Sequence, residues 1–121
     1  MSMPATISVI LTTYNRPDAL AAALRGLAAQ DDRGFELVIA DDGSTGETAD
    51  LIREASDNFP VPIHHVWHAD QGFRAAAITN RAIAASSGEY LLLMDGDCIP
   101  RPCFIRWHRR LAQPGWMVGG T

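Results

Sequence analysis

The 121-residue sequence predicts an α/β fold: a doubly wound, mostly parallel sheet between helices, in three α/β/α layers. Three observations carry that expectation. Short apolar, β-branched runs alternate with segments whose apolar residues recur at helical spacing. The segments between the runs are long enough for helices. Polar clusters stand where the first, second and fourth runs end, at the edge where such sheets bind ligands.

Thr6 to Thr12 is the first strand, short and rich in β-branched residues. It stops at Thr13-Tyr14-Asn15-Arg16-Pro17. Pro17 suits the first turn of a helix and Asp18 complements its N-terminal charge. Leu20, Leu24 and Leu27 then share one helical face, and Asp31 to Gly34 forms a polar turn. Phe35 to Ala40 is a second strand, ending in Asp41-Asp42-Gly43-Ser44. Ser44 or Thr45 can cap the next helix, Glu47 is placed for a capping box with Ser44, and the helix continues to Ser56. Pro62 to His68 is a third strand. Phe73 to Ser86 is an Ala-rich helix with Gly88 placed as its C-cap. Tyr90 to Met94 is a fourth strand, expected to be buried on both faces, and it leads into Asp95-Gly96-Asp97. A helix from about Pro102 to Leu111 and the start of a fifth strand at Trp116 complete a β-α-β-α-β-α-β-α-β order.

Composition narrows the function. Net charge is −4, against a nucleic-acid footprint, and the ten basic residues are all Arg. No apolar run approaches the ~20 residues of a membrane helix, and no secretory layout opens the sequence, so a cytoplasmic location is expected. The two cysteines, Cys98 and Cys103, lack zinc-site spacing and are expected as reduced packing residues. His64 and His68 would stand about 13 Å apart on one face of an extended strand, too far for one ion, with His65 on the other. All three are expected to be structural or surface residues.

Asp95 and Asp97 project in the same general direction, with Gly96 between them leaving room for close approach by a ligand. The pair is either a polar turn closing a strand or a site for a cation such as Mg²⁺ or Mn²⁺ shared with a phosphate. The turn after the first strand has no Gly-x-Gly-x-x-Gly, and a chain without Lys has no Walker loop. Phosphates would then be held by metal and Arg, with Arg74 the candidate.

Ile7 to Pro17, Leu37 to Ser44, Arg74 with Asn80-Arg81-Ala82, and Tyr90 to Asp97 together resemble the nucleotide-binding half of family 2 glycosyltransferases. The resemblance implies the Rossmann-like, nucleotide-sugar-binding half of the GT-A fold. Asp70 to Ala77 is also similar to the bacterial polysaccharide-synthesising, chondroitin-polymerase-like branch. The family likeness implies that Thr12 and Tyr14 line a nucleoside pocket, with Tyr14 stacking on the base and Asn15 holding the loop. It implies that Asp42 accepts a hydrogen bond from a uracil-type base edge and that Arg74 meets the diphosphate or the metal-ligand carboxylates. Asn80 would steady that region, Asp95 would lie near ribose and metal, and Asp97 would be the main ligand of Mn²⁺ or Mg²⁺.

Thr79 stands where many relatives carry Arg, which removes one phosphate contact. The resemblance further implies inverting transfer from a nucleotide-sugar, UDP-type, to a glycan or lipid-linked acceptor, with the general base in an acceptor half beyond these residues. Residues 1–121 are thus expected to be one nucleotide-sugar-binding domain of a truncated catalytic domain, poor at transfer by itself. Apolar surface around Trp107, Trp116 and Met117 is expected to drive self-association. Two alternatives have different consequences: a non-catalytic nucleotide-binding or assembly module, separated by acceptor-dependent turnover, and a receiver-like signalling domain. The receiver reading needs a Lys and an acidic pair after the first strand, and neither is present.

Overall fold

The computed structural model describes residues 6–96, 98–111 and 117–119, the last for backbone only. Its elements are β1 (Ile7–Thr13), α1 (Pro17–Ala28), β2 (Phe35–Asp41), α2 (Gly46–Ser56), β3 (Ile63–Trp67), α3 (Ala75–Ala85), β4 (Tyr90–Asp95), α4 (Phe104–Leu111) and β5 (Met117–Gly119). The sheet order is β3-β2-β1-β4-β5, with every pair parallel. Successive strands run outward from β1 to β3, and the chain then crosses back to place β4 on the other side of β1. That reversal leaves a crevice above the C-terminal ends of β1 and β4.

Alternation along β1 explains the layering. Ile7, Val9 and Leu11 point into the larger core with Leu37, Ile39, Leu92, the α1 residues Leu20, Leu24 and Leu27, Ile52 of α2 and Ile105 of α4. Ile10 points the other way, meeting Val38, Ala40 and the α3 residues Ile78 and Ala82. Three helices therefore cover one face and α3 covers the other, as three layers require. β4 departs from its expected double burial. Tyr90, Leu92 and Met94 are buried, whereas Leu91 and Leu93 are only partly covered. The reason is that α3 packs over β1, β2 and β3.

Several local expectations are corrected. α2 has no side-chain cap bond: Ser44 Oγ instead accepts the backbone N–H of Asn15 at 2.8 Å. Gly88 does not cap α3, whose C-cap is Ser86; its N–H donates to Ser8 Oγ at 2.8 Å. α4 is docked by Gln30, 2% exposed, whose amide donates to the carbonyls of Gly26 and Arg101 and accepts from Ile105 N–H. Arg109 adds an ion pair to Asp32 at 2.7 Å. No helix among the described residues is long and apolar enough to cross a membrane.

Candidate functional site

A cavity of about 430 Å³ opens at the crevice between β1 and β4. Its base is formed by Thr12 and Thr13 of β1, Ala40 of β2, and Asp95 with Gly96 beyond β4. Its walls are Tyr14, Arg16 and Ala19 on one side, Asp42, and the Gly72-Phe73 turn with Ala75 and Ile78 of α3 on the other. The polar clusters ending β1, β2 and β4 thus meet in one place.

Asp42 is the most constrained of these groups. It is 5% exposed, yet it lines the cavity. One carboxylate oxygen, Oδ2, accepts the backbone N–H of Arg74 at 2.9 Å, which pins the start of α3. The other, Oδ1, lies 2.6 Å from His68 Nε2. Its neighbour Asp41, 1% exposed, repeats the pattern with His65 Nε2 at 2.8 Å and Ser44 N–H at 2.9 Å. Burial opposes ionisation of Asp41, but the His65 and Ser44 donors outweigh it and hold the carboxyl below its usual range. His64 lies 3.3 Å from Glu36. All three histidines of β3 and its exit therefore face carboxylates of β2 and its exit across adjacent strands.

Asn15 holds the turn after β1. It adopts φ 48°, its N–H donates to Ser44 Oγ, and its Oδ1 accepts Thr45 N–H at 2.9 Å. The first and second strand exits are thereby tied together. Tyr14 is about half-exposed, and its hydroxyl donates to Asp70 Oδ2 at 2.7 Å. That hydrogen bond, with the charge of the same carboxylate, raises the Tyr14 phenol; reciprocally, the hydroxyl holds Asp70 below its usual range. Gly43 makes the arrangement sterically feasible. Its φ is +88°, and a Cβ there would stand 2.5 Å from the Asp70 Cα.

The remaining residues divide. Thr12 lines the cavity with its hydroxyl 3.5 Å from Asp95 Oδ1, too long for a firm hydrogen bond. Asp95 is exposed at the end of β4. Arg74 is exposed, and its guanidinium donates to Gln71 Oε1 at 2.6 Å; among the described residues it makes no ion pair with a carboxylate. Asn80 is exposed on α3 and is not among the cavity-lining residues. Asp97 lies outside the described residues, as does Trp116. Gly96 lines the cavity and is also required by the sheet: a Cβ there would collide with the carbonyl oxygen of Thr12 in β1. Arg16 and Phe73, the latter 92% exposed at the rim, carry no sequence signal that singles them out as site residues. The described residues contain no cluster of three or more His, Cys, Asp or Glu able to hold a metal by themselves.

A cavity at the switch point of a doubly wound sheet defines a ligand-binding α/β fold of the Rossmann-like class. The chain belongs to glycosyl transferase family 2, whose family model matches residues 8–111. It is 32% identical over 82% of its length to the hyaluronan synthase of Pasteurella multocida, covering 10% of that protein. It is 33% identical over 83% of its length to the validoxylamine A glucosyltransferase of Streptomyces hygroscopicus, covering 24% of that enzyme. Among solved structures, S. aureus TarS 1-349 in complex with UDP-GlcNAc superposes with a TM-score of 0.75, at 27% identity over 84% of this chain and 29% of that one. The Pyrobaculum calidifontis mannosyltransferase PcManGT, solved with GDP-Man and Mn²⁺, shares the fold at 24% identity and a TM-score of 0.75. The sheet is thus of the GT-A glycosyltransferase type. The chain spans between a tenth and a third of the length of these relatives.

Proposed function

We propose that residues 1–121 form the nucleotide-sugar-binding domain of an inverting glycosyltransferase, taking a UDP-type donor with a divalent cation. The observation that carries this reading is the meeting of Tyr14, Asp42 and Asp95 around one cavity at the switch point. Tyr14 offers an exposed ring face on which a base can stack. Asp42, already bonded on both oxygens, keeps further lone pairs for an N–H donor on a base edge. Thr12 and Asp95 stand at the other end of the cavity base, where ribose and diphosphate would lie.

The donor set fits a hard cation that is only partly held by protein. Asp95 is an exposed carboxylate without a firm partner at Thr12, and the described residues provide no all-protein cage. Mg²⁺ and Mn²⁺ at phosphate sites use one or two carboxylates and complete their coordination with phosphate and water. We assign Asp95 and Asp97 as those carboxylates. When bound, the cation would supply Lewis-acid stabilisation of the departing diphosphate. Arg74 would leave Gln71 to reach that diphosphate, while Asn80 would support α3 from outside the cavity. Asn15 keeps the base end of the pocket fixed by bridging the two strand exits.

No described residue is assigned as the general base. The reading places the base and the site for a glycan or lipid-linked acceptor outside residues 1–121, in keeping with the small share of its relatives that the chain covers. A cytoplasmic location belongs to the same proposal. So does self-association through half-exposed Trp107, which carries Arg110 5.6 Å above its ring, with exposed Leu111 beside it on α4. A concentration-independent monomer in sedimentation would refute that last part.

The test of the whole is calorimetric titration of UDP with Mn²⁺ and then with EDTA, in the wild type and in Asp97→Ala and Asp95→Asn. Metal-dependent binding that either substitution weakens is the expected result. A folded wild type that binds UDP, GDP, CDP and TDP under neither condition would overturn the reading.

A further inference from the structure

His68 follows β3 directly, and its backbone N–H reaches back to the Asp41 carbonyl at 3.4 Å. Its side chain is 15% exposed and lies against Asp42, which is 7% exposed on the same measure. The 2.6 Å contact joins His68 Nε2 to Asp42 Oδ1. An ionised carboxylate only accepts, so Nε2 carries the shared proton. With Arg74 N–H on Oδ2, Asp42 has one donor on each oxygen. Both oxygens thus act as acceptors toward fixed donors, which sets the plane of the carboxylate and leaves only lone pairs facing the cavity.

The charged neighbours of this pair include Asp41, Asp70 and Arg74, whose guanidinium is turned to Gln71 Oε1. Asp70 lies on the turn that follows His68, bonded to Tyr14, and its lowered carboxyl owes most to that hydroxyl and a smaller part to the His68 imidazole. On β2 the neighbouring acid, Asp41, is taken by His65. Asp42 therefore has His68 as its side-chain partner while these two nearby acids are engaged elsewhere.

We propose that His68 is a positioning residue for base selection: it holds Asp42 in one orientation and acceptor-only, so that the cavity takes a base with a ring N–H on its pairing edge and turns away one with a ring acceptor there. Uracil, thymine and guanine have that N–H. Cytosine presents an unprotonated ring nitrogen at the same place and would meet the carboxylate lone pair to lone pair. Without the His68 donor, Asp42 loses the contact that fixes Oδ1 and can turn its lone pairs away from the base edge, so discrimination falls. The inference rests on the reading of Asp42 as the base-facing residue.

The test uses the 121-residue chain in calorimetric titrations with UDP and CDP in the presence of Mn²⁺ near neutral pH. His68→Gln keeps an N–H near the Nε2 position; His68→Leu removes it, and His68→Asn replaces Leu if that variant fails to fold. Wild type is expected to prefer UDP over CDP by at least about tenfold, the scale of one mismatched hydrogen bond to a charged group. His68→Leu should lose about tenfold in UDP affinity and most of the preference; His68→Gln should stay within about threefold of wild type. A merely structural role would lower affinity for both nucleotides alike and leave their ratio unchanged. An unchanged ratio in His68→Leu, or a Gln variant no better than Leu, would overturn the inference while leaving the nucleotide site standing. Failure of the wild type to bind any of UDP, TDP, GDP and CDP would overturn both.

Discussion

Three glycines near the cavity separate two kinds of backbone requirement, and their alanine variants should rank in a fixed order. Gly46, the exposed first residue of α2, has ordinary φ and nothing within 4 Å of the place an added methyl group would take. Gly46→Ala should therefore stabilise by about 0.4–1 kcal/mol, mainly by restricting the unfolded chain. Gly72 has φ +85° and open space, so Gly72→Ala bears conformational strain alone, about 1–2 kcal/mol. Gly43 has φ +88° and, in addition, a Cβ position 2.5 Å from both N and Cα of Asp70. Those are backbone atoms close to His68 and cannot swing aside like a side chain. Overpacking of that kind adds about 1–3 kcal/mol, for a total of about 2–5 kcal/mol. A chain of this length loses about 4 °C of Tm per kcal/mol, so the expected shifts are about +2 to +4, −4 to −8 and −8 to −20 °C for Gly46, Gly72 and Gly43. Differential scanning calorimetry on the three variants reads the order directly. A Gly43→Ala shift no larger than that of Gly72→Ala would refute the argument that the Asp70 backbone fills the space. The same variant should also weaken UDP binding, because moving Asp70 breaks its bond with Tyr14.

Other outcomes follow from single contacts. Gln30→Leu should destabilise by about 1–3 kcal/mol, read by urea unfolding, because it strands the buried Ile105 N–H and removes the bond to the Arg101 carbonyl. Burial lowers the imidazole of His108, which packs edge-on against Phe104 at 4.7 Å. A His whose folded value is depressed stays neutral in the fold while the unfolded chain takes up the proton, so stability should fall as pH drops through 6.5 toward the folded value. His108→Phe should flatten that part of the stability–pH curve; an unchanged slope would exclude His108 as its source. Asp70→Asn should bring the Tyr14 phenol down toward 10.0 in ultraviolet titration, since the Asp70 contact is the main cause of its elevation.

The legible parts of this protein are those written in local pattern. Alternating runs locate every strand within a residue or two, and the polar strand exits locate the cavity, because a parallel sheet brings all such exits to one edge. What escapes are pairings set by register. In the sequence the histidines of β3 can be weighed only against each other for a shared ion, whereas their partners are carboxylates one strand away: Ile39 aligns with His65 and Asp41 with Trp67. Strand order is needed before such a pair can be seen. Gln30 carries no sequence signal for the same reason; two of its three bonds go to residues more than seventy positions later. Ser44 illustrates a different failure, in which a local rule names the right residue with the wrong neighbour.

The strand order also has a meaning in time. β1 is central, but its two neighbours are made at very different moments: β2 follows within a short loop and helix, whereas β4 arrives with Asp95, 83 positions after Thr12. At about 5–20 residues per second, that separation is roughly 4–16 s of synthesis. The base end of the cavity, with Tyr14, Asn15, Asp42 and His68, can assemble from the first three strands before the carboxylate end exists. Until β4 docks, the open side of β1 is a bare sheet edge at the heart of the molecule, and it is the newborn chain, more than the finished one, that a chaperone or a second nascent copy would meet there.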